Sequence, residues 1–324
     1  MKTERMTVMN SFRFLVTGCA GFIGGHMVER LIADGHAVAG VDDFSTGKRE
    51  NLAAAGDGFE LIEGNLADPG IAARAVRGVT HVIHLASIPS VPRSLEKPRE
   101  SMWSSVASTV ALFEASVKAG VKRIVQASSS SIYGDNPSLP VPEMVIPAPL
   151  SPYAAAKVAQ EAYGQAFFHS LGLDNVAVRY FNVFGPRQDP KSEYAAVIPK
   201  FVTMMLAGRR PGIFGDGGQS RDFTYVDNVV QGNLLAALHP EPLKGRAFNL
   251  ACGMGINLNQ LVAKINACLG TALIPEHLSP RLGEIRHSRA DISLAGNELG
   301  YSPAVDFDTG LARVIEYFRG QIGV

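Results

Sequence analysis

Short apolar runs alternate with longer stretches of helical spacing, and this alternation sets the expected fold. Residues 12–17 read as a buried parallel strand, brief and rich in β-formers. The run enters Gly18-Cys19-Ala20-Gly21-Phe22-Ile23-Gly24, after which Met27, Val28, Leu31 and Ile32 recur at helical spacing up to Asp34-Gly35. Further strands are expected at 36–41, 59–63, 81–86, 123–127 and 175–181. Helices are expected over 69–76, 100–119 and 152–171. Pro89, Pro92 and Pro98 predict a loop between 86 and 100, and the proline-rich segment 135–151 predicts another. The third helix has clear start signals, with Ser151 as N-cap and Pro152 at the first helical position.

After Gly185-Pro186 the rhythm changes. A helix is expected over 196–207, with Pro199 as an interruption. Gly215 to Gly218 form a turn cluster, 222–225 a short strand, and Asp227 caps a helix running through Leu238. A strand at 248–250, helices at 259–269 and 311–319 and a loop at 281–288 complete the reading. The fold class is α/β: a doubly wound parallel sheet (Rossmann) with a smaller, interleaved C-terminal α/β substrate domain. The expected boundaries are 12–181 plus roughly 223–250 for the sheet domain, and 182–222 plus 251–324 for the second. Residues 1–11 are expected to be a tail.

Composition narrows the classes. The 324 residues are 46% hydrophobic and 19% charged, which suits a large core rather than disorder. Lys+Arg and Asp+Glu are both 30, so the basic signature of a nucleic-acid binder is missing. No apolar run reaches the length of a membrane span, and the start lacks a secretory pattern. Cys19, Cys252 and Cys268 make neither a disulfide framework nor a zinc spacing, so reduced thiols and a cytoplasmic location are expected. His81 and His84 lie on a strand and read as structural, and no metal is expected.

The chemistry concentrates at three places. Gly18, Gly21 and Gly24 let backbone N–H groups approach a pyrophosphate at a helix N-terminus. Asp42 closes the second strand, 18 residues after Gly24, where a carboxylate binds the adenosine ribose hydroxyls. It would repel a 2′-phosphate, which favours NAD over NADP, although Lys48 and Arg49 stand close by. Ser128 to Ser131 sit at a strand exit, where open α/β sheets bind ligands. Tyr153 and Lys157, four apart, share a helix face. An ammonium beside a phenol favours the phenolate, so the pair reads as a general base with an electrostatic helper.

Together the glycine loop, Asp42, the serine cluster and Tyr153-x-x-x-Lys157 resemble the extended short-chain dehydrogenase/reductase family. Longer strings sharpen the resemblance to its NAD-dependent nucleotide-sugar 4-epimerases: 41–47, 90–94, 179–188 and 220–227. UDP-N-acetylglucosamine and UDP-glucose 4-epimerases are the most similar in pattern. The resemblance implies Tyr153 as base, Lys157 on the nicotinamide ribose and Ser129 on the reacting hydroxyl. It implies cofactor contacts from Gly18, Gly21, Phe22, Ile23, Gly24, Asp42, Asp43, Ser45, Thr46, Gly47, Asn65, Leu66, Leu85, Ala86, Ser105 and Tyr180. It implies substrate contacts from Ser87, Ser130, Asn182, Gln188, Ala196, Val197, Arg221, Arg281, Glu284 and Ser288, with Arg221 and Arg281 on the diphosphate. Asn65, Ser105 and Glu284 depart from the family's usual Asp, Asn and Asp.

The reaction so implied is inversion at C4 of a UDP-hexose through a 4-keto sugar, with NAD carrying the redox change. A dehydratase or decarboxylase of the same family needs a carboxylate after the reacting serine, and Ser130-Ser131 provide none. A non-catalytic NAD-binding regulator would generally lack the tyrosine or lysine. Ser288 matches the gate beside the sugar's C2 group, so N-acetylated substrates are expected to enter. Arg93 leaves UDP-glucuronate as an alternative. Helices 100–119 and 152–171 are expected to form a four-helix homodimer interface, with no nucleic-acid or membrane partner.

Overall fold

The computed structural model describes residues 12–190, 196–280 and 285–322. The expected tail therefore lies outside the described residues. Six of the strands, β1 (Arg13–Thr17), β2 (Ala37–Asp42), β3 (Glu60–Glu63), β4 (His81–His84), β5 (Arg123–Ser129) and β6 (Asn175–Tyr180), come in succession. They are followed by β7 (Val183–Phe184), β8 (Gly212–Phe214), β9 (Ser220–Arg221), β10 (Thr224–Tyr225), β11 (Arg246–Leu250), β12 (Ile256–Asn257) and β13 (Glu276–Leu278). The helices are α1 (Phe22–Ala33), α2 (Pro69–Ala75), α3 (Val91–Glu96), α4 (Pro98–Met102), α5 (Ser108–Ala119) and α6 (Pro152–Leu171). After them come α7 (Val197–Leu206), α8 (Val226–Ala237), α9 (Leu258–Leu269), α10 (Ser293–Leu299) and α11 (Phe307–Ile322).

A seven-stranded sheet in the order β11-β6-β5-β4-β1-β2-β3 forms the centre, and every pairing in it is parallel. Strand order reverses between β1 and β4, which opens a crevice at their carboxyl ends. Side chains alternate across the sheet. Phe14, Val16, Val125 and Val178 enter one buried layer, with α1 and α8, while Leu15 and Ile124 enter the other, with α2 and α5. The first layer continues into α7, α9 and α11, so the smaller lobe packs against the sheet through one continuous core.

Several expectations change. The segment with Pro92 and Pro98 is helical, because each proline falls in a first turn, where its missing N–H is not needed. Ser90 caps α3, accepting from the Arg93 amide at 3.1 Å. The expected helix 100–119 begins at Pro98 and carries a wide π-type turn, Trp103–Ala107, between α4 and α5. Pro199 also lies in a first turn, that of α7, and interrupts nothing. Asp227 does not cap α8; it sits inside the first turn and pairs with Arg313 at 3.1 Å. Of the expected strand 222–225 only β10 forms; Asp222 and Phe223 link it to β9, which precedes the expected range. Helix α6 spans 20 residues, with Ser151 accepting from the Ala154 amide at 3.1 Å and Gly172 in the left-handed conformation after it.

Candidate active site

The crevice at the strand reversal is built by backbone proximity. Gly18 follows β1 with φ +66°, and a Cβ there would lie 2.9 Å from the Ala86 nitrogen, just past β4. A Cβ on Gly24 would lie 2.1 Å from the Gly18 carbonyl oxygen. Helix α1 then follows Gly21, an N-cap residue with no side chain to cap it, leaving first-turn N–H groups aimed at the crevice. Thr17 steadies the opposite wall: its hydroxyl accepts from the Leu85 and Ala86 amides, each at 3.1 Å. That leaves its proton for His84 Nδ1, at 2.8 Å. His84 is buried, which pushes its imidazole down to about 3, and its Nε2 faces Thr109 at 2.9 Å. The histidine is thus a neutral strut.

Asp42 is nearly buried at the end of β2. It accepts from the Ala20 and Phe44 amides, both at 2.8 Å, and burial raises its carboxyl above the usual range. A Cβ on Gly47 would press on Asp42 Oδ1 at 2.8 Å, so this glycine gives the carboxylate its room. Asp43 is engaged by Ser45 and, at 3.3 Å, by the Asn65 amide. The two nearby cations are occupied: Lys48 pairs with Asp189 at 2.7 Å, and Arg49 pairs with Glu63 and lies 4.2 Å from the Phe44 ring centre. Neither stands unpaired where a 2′-phosphate would need it. The glycine cradle, the uncapped helix start and the acidic ribose position therefore fit a bound NAD.

The cleft, about 350 Å3, is bordered by Gly18, Gly21, Phe22, Ile23, Gly24, Asp42, Asp43, Ser45, Thr46, Asn65, Leu66, Leu85, Ala86, Ser87, Tyr153, Lys157 and Tyr180. Ser105 is buried behind Ser87, bonded to its hydroxyl at 3.0 Å, and Ser104 and Ser108 reach the cleft instead. Sequence reasoning did not single those two out. The wide turn at Trp103–Ala107 shifts the helical register, which a straight-helix reading does not anticipate.

A second cleft of about 510 Å3 continues from the first. It brings together Ser129, Ser130, Asn182, Gln188, Arg221 and Ser288, along with Asn136 and His287, which the sequence did not flag. Ala196 and Val197 stand outside both clefts, at the start of α7. Arg281 and Glu284 lie outside the described residues. Ser288 is fixed by its amide, which donates to the Ser220 carbonyl at 3.1 Å. Gln188 is tied back through Nε2 to the Val183 carbonyl at 3.1 Å.

Tyr153 borders both clefts, as do Phe22, Ile23, Pro89, Ser128 and Tyr180. Burial raises the Tyr153 phenol above its ordinary value, and a hydrogen bond with the Ser129 hydroxyl acts the other way. Lys157 Nζ lies 5.8 Å from the phenol ring centre and donates to the Ala127 carbonyl at 2.9 Å. Burial pushes this lysine down to about 7, and Glu161, one turn further on, opposes that. Tyr180 borders the site with its ring, while its hydroxyl donates to Asn233 at 2.9 Å.

A family model for the NAD dependent epimerase/dehydratase family matches residues 14–251. The chain belongs to that family. A UDP-glucose 4-epimerase of Mycolicibacterium smegmatis is 41% identical over 313 residues, covering 95% of this chain and 99% of the relative. The UDP-N-acetylglucosamine 4-epimerase of Methanobrevibacter ruminantium, solved with UDP-N-acetylmuramic acid, superposes with a TM-score of 0.92. It is 39% identical and covers 97% of this chain and 100% of its own. The UDP-glucose 4-epimerase of Thermus thermophilus, solved with NAD, gives 0.86 at 36% identity, covering 95% and 99%. The match spans the glycine loop, Tyr153, Lys157 and the sheet through β11. Among the described residues there is no group of three or more His, Cys, Asp or Glu able to hold a metal. Among them, too, no helix is long and apolar enough to cross a membrane.

Proposed function

We propose that the chain is an NAD-dependent 4-epimerase of UDP-hexoses that admits N-acetylated sugars. The observation that carries this reading is the position of Tyr153, whose side chain borders the dinucleotide cleft and the second cleft at once. A proton acceptor there reaches the group that reacts between them. NAD, when bound, accepts the C4 hydrogen with its electron pair and returns it.

The chain's own residues do the rest. Tyr153 takes the proton of the C4 hydroxyl and gives it back on the other face. Ser129 holds that oxygen, and its own hydroxyl is oriented by Ser131 Oγ at 3.0 Å. Lys157 supplies positive charge beside the phenol and N–H groups for the nicotinamide ribose. Arg221 and Asn182 retain the UDP while the sugar turns, and Ser288 leaves room for the C2 substituent. Arg93, the residue favouring a uronate, is engaged by Glu100 through two bonds of 2.6 and 3.0 Å, which counts against that alternative. Positions 130 and 131 offer no carboxylate for dehydration or decarboxylation.

The division into 12–181 plus roughly 223–250, and 182–222 plus 251–324, accords with β11 returning to the central sheet. A homodimer through the α4–α5 helix and α6 belongs to the same reading, supported by the exposure of Leu95, Met102, Trp103 and Tyr163 on that side. So does a cytoplasmic location, supported by three free cysteines. The test is incubation with UDP-GlcNAc and UDP-glucose, followed by proton NMR for the C4 epimer. Tyr153→Phe should abolish turnover and keep UDP-sugar binding; normal epimerisation by the variant would defeat the assignment.

A further inference from the structure

Beneath the site lies a buried ionic network that the reaction does not itself require. Helix α6 carries Tyr153, Lys157 and Glu161 at successive steps of four, so all three share one face. Glu161 is buried and accepts three bonds. Arg179, from β6, donates to both carboxylate oxygens at 2.9 and 2.7 Å, and Ser128, from the exit of β5, donates at 2.5 Å. Arg179 also donates to the Tyr133 hydroxyl at 2.8 Å and to the Glu143 carbonyl at 2.9 Å. The Tyr133 hydroxyl in turn donates to Asn249 Oδ1 at 2.7 Å. Glu161 therefore touches the neighbour of Ser129 on one side and stands a turn from Lys157 on the other.

We propose that Glu161 is a positioning residue that keeps Lys157 in its ammonium form and aligns the serine strand exit with Tyr153. The inference rests on the epimerase reading. A buried ion pair is weak evidence for stability, since a packed apolar pair of similar volume often serves as well. Its placement suggests a different role. Lys157 makes one hydrogen bond to the protein, and its surroundings favour the neutral amine.

The groups facing it are few. On α6 they are Tyr153 and Glu161. From β4 comes His84, held neutral by burial, and from β6 come Arg179, spent on Glu161, and Tyr180, bonded to Asn233. The strand β5 presents Ala127, Ser128 and Ser129, none of which titrates near neutrality. Glu161 is thus the carboxylate acting on this lysine, opposing the effect of burial.

The test compares pH profiles of the NAD-loaded enzyme. A working site needs Tyr153 ionised and Lys157 protonated, so the two titrate as a pair and the alkaline limb of kcat reports loss of the proton they share. In Glu161→Gln that limb should move to lower pH by about one unit or more. Glu161→Asp keeps the charge and should keep the limb, even with a lower kcat. Because Glu161→Gln strands Arg179, the double variant E161Q/R179M removes both charges and should show a smaller move in the same direction, since loss of the guanidinium partly offsets loss of the carboxylate. A second readout is the ultraviolet difference spectrum of tyrosinate against a Tyr153→Phe background. The tyrosinate transition belongs to the same coupled pair and should move with that limb in E161Q and, by less, in E161Q/R179M. An unmoved limb and an unmoved tyrosinate transition in both variants would overturn the proposal. If the epimerase reading failed instead, wild-type protein would turn over no UDP-sugar, and the spectral titration would still decide the role of Glu161.

Discussion

Asp222 offers a prediction in which two opposing effects can be weighed. It lies fully buried between β9 and β10, beside Arg221. Its Oδ1 accepts from the Cys252 amide at 3.0 Å, and its Oδ2 from the amides of Gly253 at 3.0 Å and Ala290 at 3.1 Å. Ala290 is two residues past Ser288, so this carboxylate pins the wall of the second cleft to the end of the sheet. Even with these donors, burial pushes its carboxyl up to about 6.

A raised carboxyl binds its proton more tightly folded than unfolded. Its contribution to stability is therefore largest below the unfolded value and falls as pH rises through about 6. At high pH the ionised form costs about 3 kcal/mol relative to the neutral one. Asp222→Asn removes that cost and turns an N–H2 toward a backbone N–H, which costs about 1–3 kcal/mol for each donor left unpaired. At pH 8 the two nearly cancel, so the variant should lie within about 2 kcal/mol of wild type.

Between pH 5 and pH 8 wild type should lose about 1.4 kcal/mol relative to the variant. At about 1.5 °C per kcal/mol for a chain of 324 residues, the wild-type lead in Tm should shrink by about 2 °C over that range. Thermal melts in matched buffers measure it. A gap that is constant, or that widens with pH, would refute the reasoning. In the same variant the KM for UDP-sugar should rise while NAD affinity holds, because Ala290 is the tether that loosens.

Other outcomes follow from the same geometry. Ser288→Tyr should abolish turnover of UDP-GlcNAc and retain that of UDP-glucose; equal loss of both would count against the gate. Gly24→Ala puts a methyl carbon 2.1 Å from the Gly18 carbonyl and 2.8 Å from the Cys19 Cα, both backbone atoms that cannot easily give way. An overpacking cost of about 1–3 kcal/mol should weaken NAD binding about 5- to 150-fold, read by calorimetry. The protein should sediment at twice the chain mass, and Trp103→Glu should return it to a monomer.

What the sequence disclosed depended on whether the signal was local. Helix α6 could be bounded because Ser151, Pro152 and Gly172 act within their own turns. The glycine loop was legible for the same reason. Helix α3 was missed because Pro92 reads as a breaker unless its place in the first turn is known. The short strands β8, β12 and β13 exist through pairing with distant partners, as β12 does with β9, and carry no pattern of their own. The Glu161–Arg179 pair joins a helix to a strand across 18 residues, and neither flank announces it. His84 reads as a strand residue, but its partners Thr17 and Thr109 come from other elements and emerge only in three dimensions.

The phenol that separates the two clefts is a party wall, and party walls transmit disturbance in both directions. A ligand that pins the ring from the sugar side must alter the grip on the dinucleotide by the same factor as the dinucleotide alters the grip on that ligand. Sugar-nucleotide mimics should therefore change the affinity for the cofactor without touching a single atom of its adenosine end.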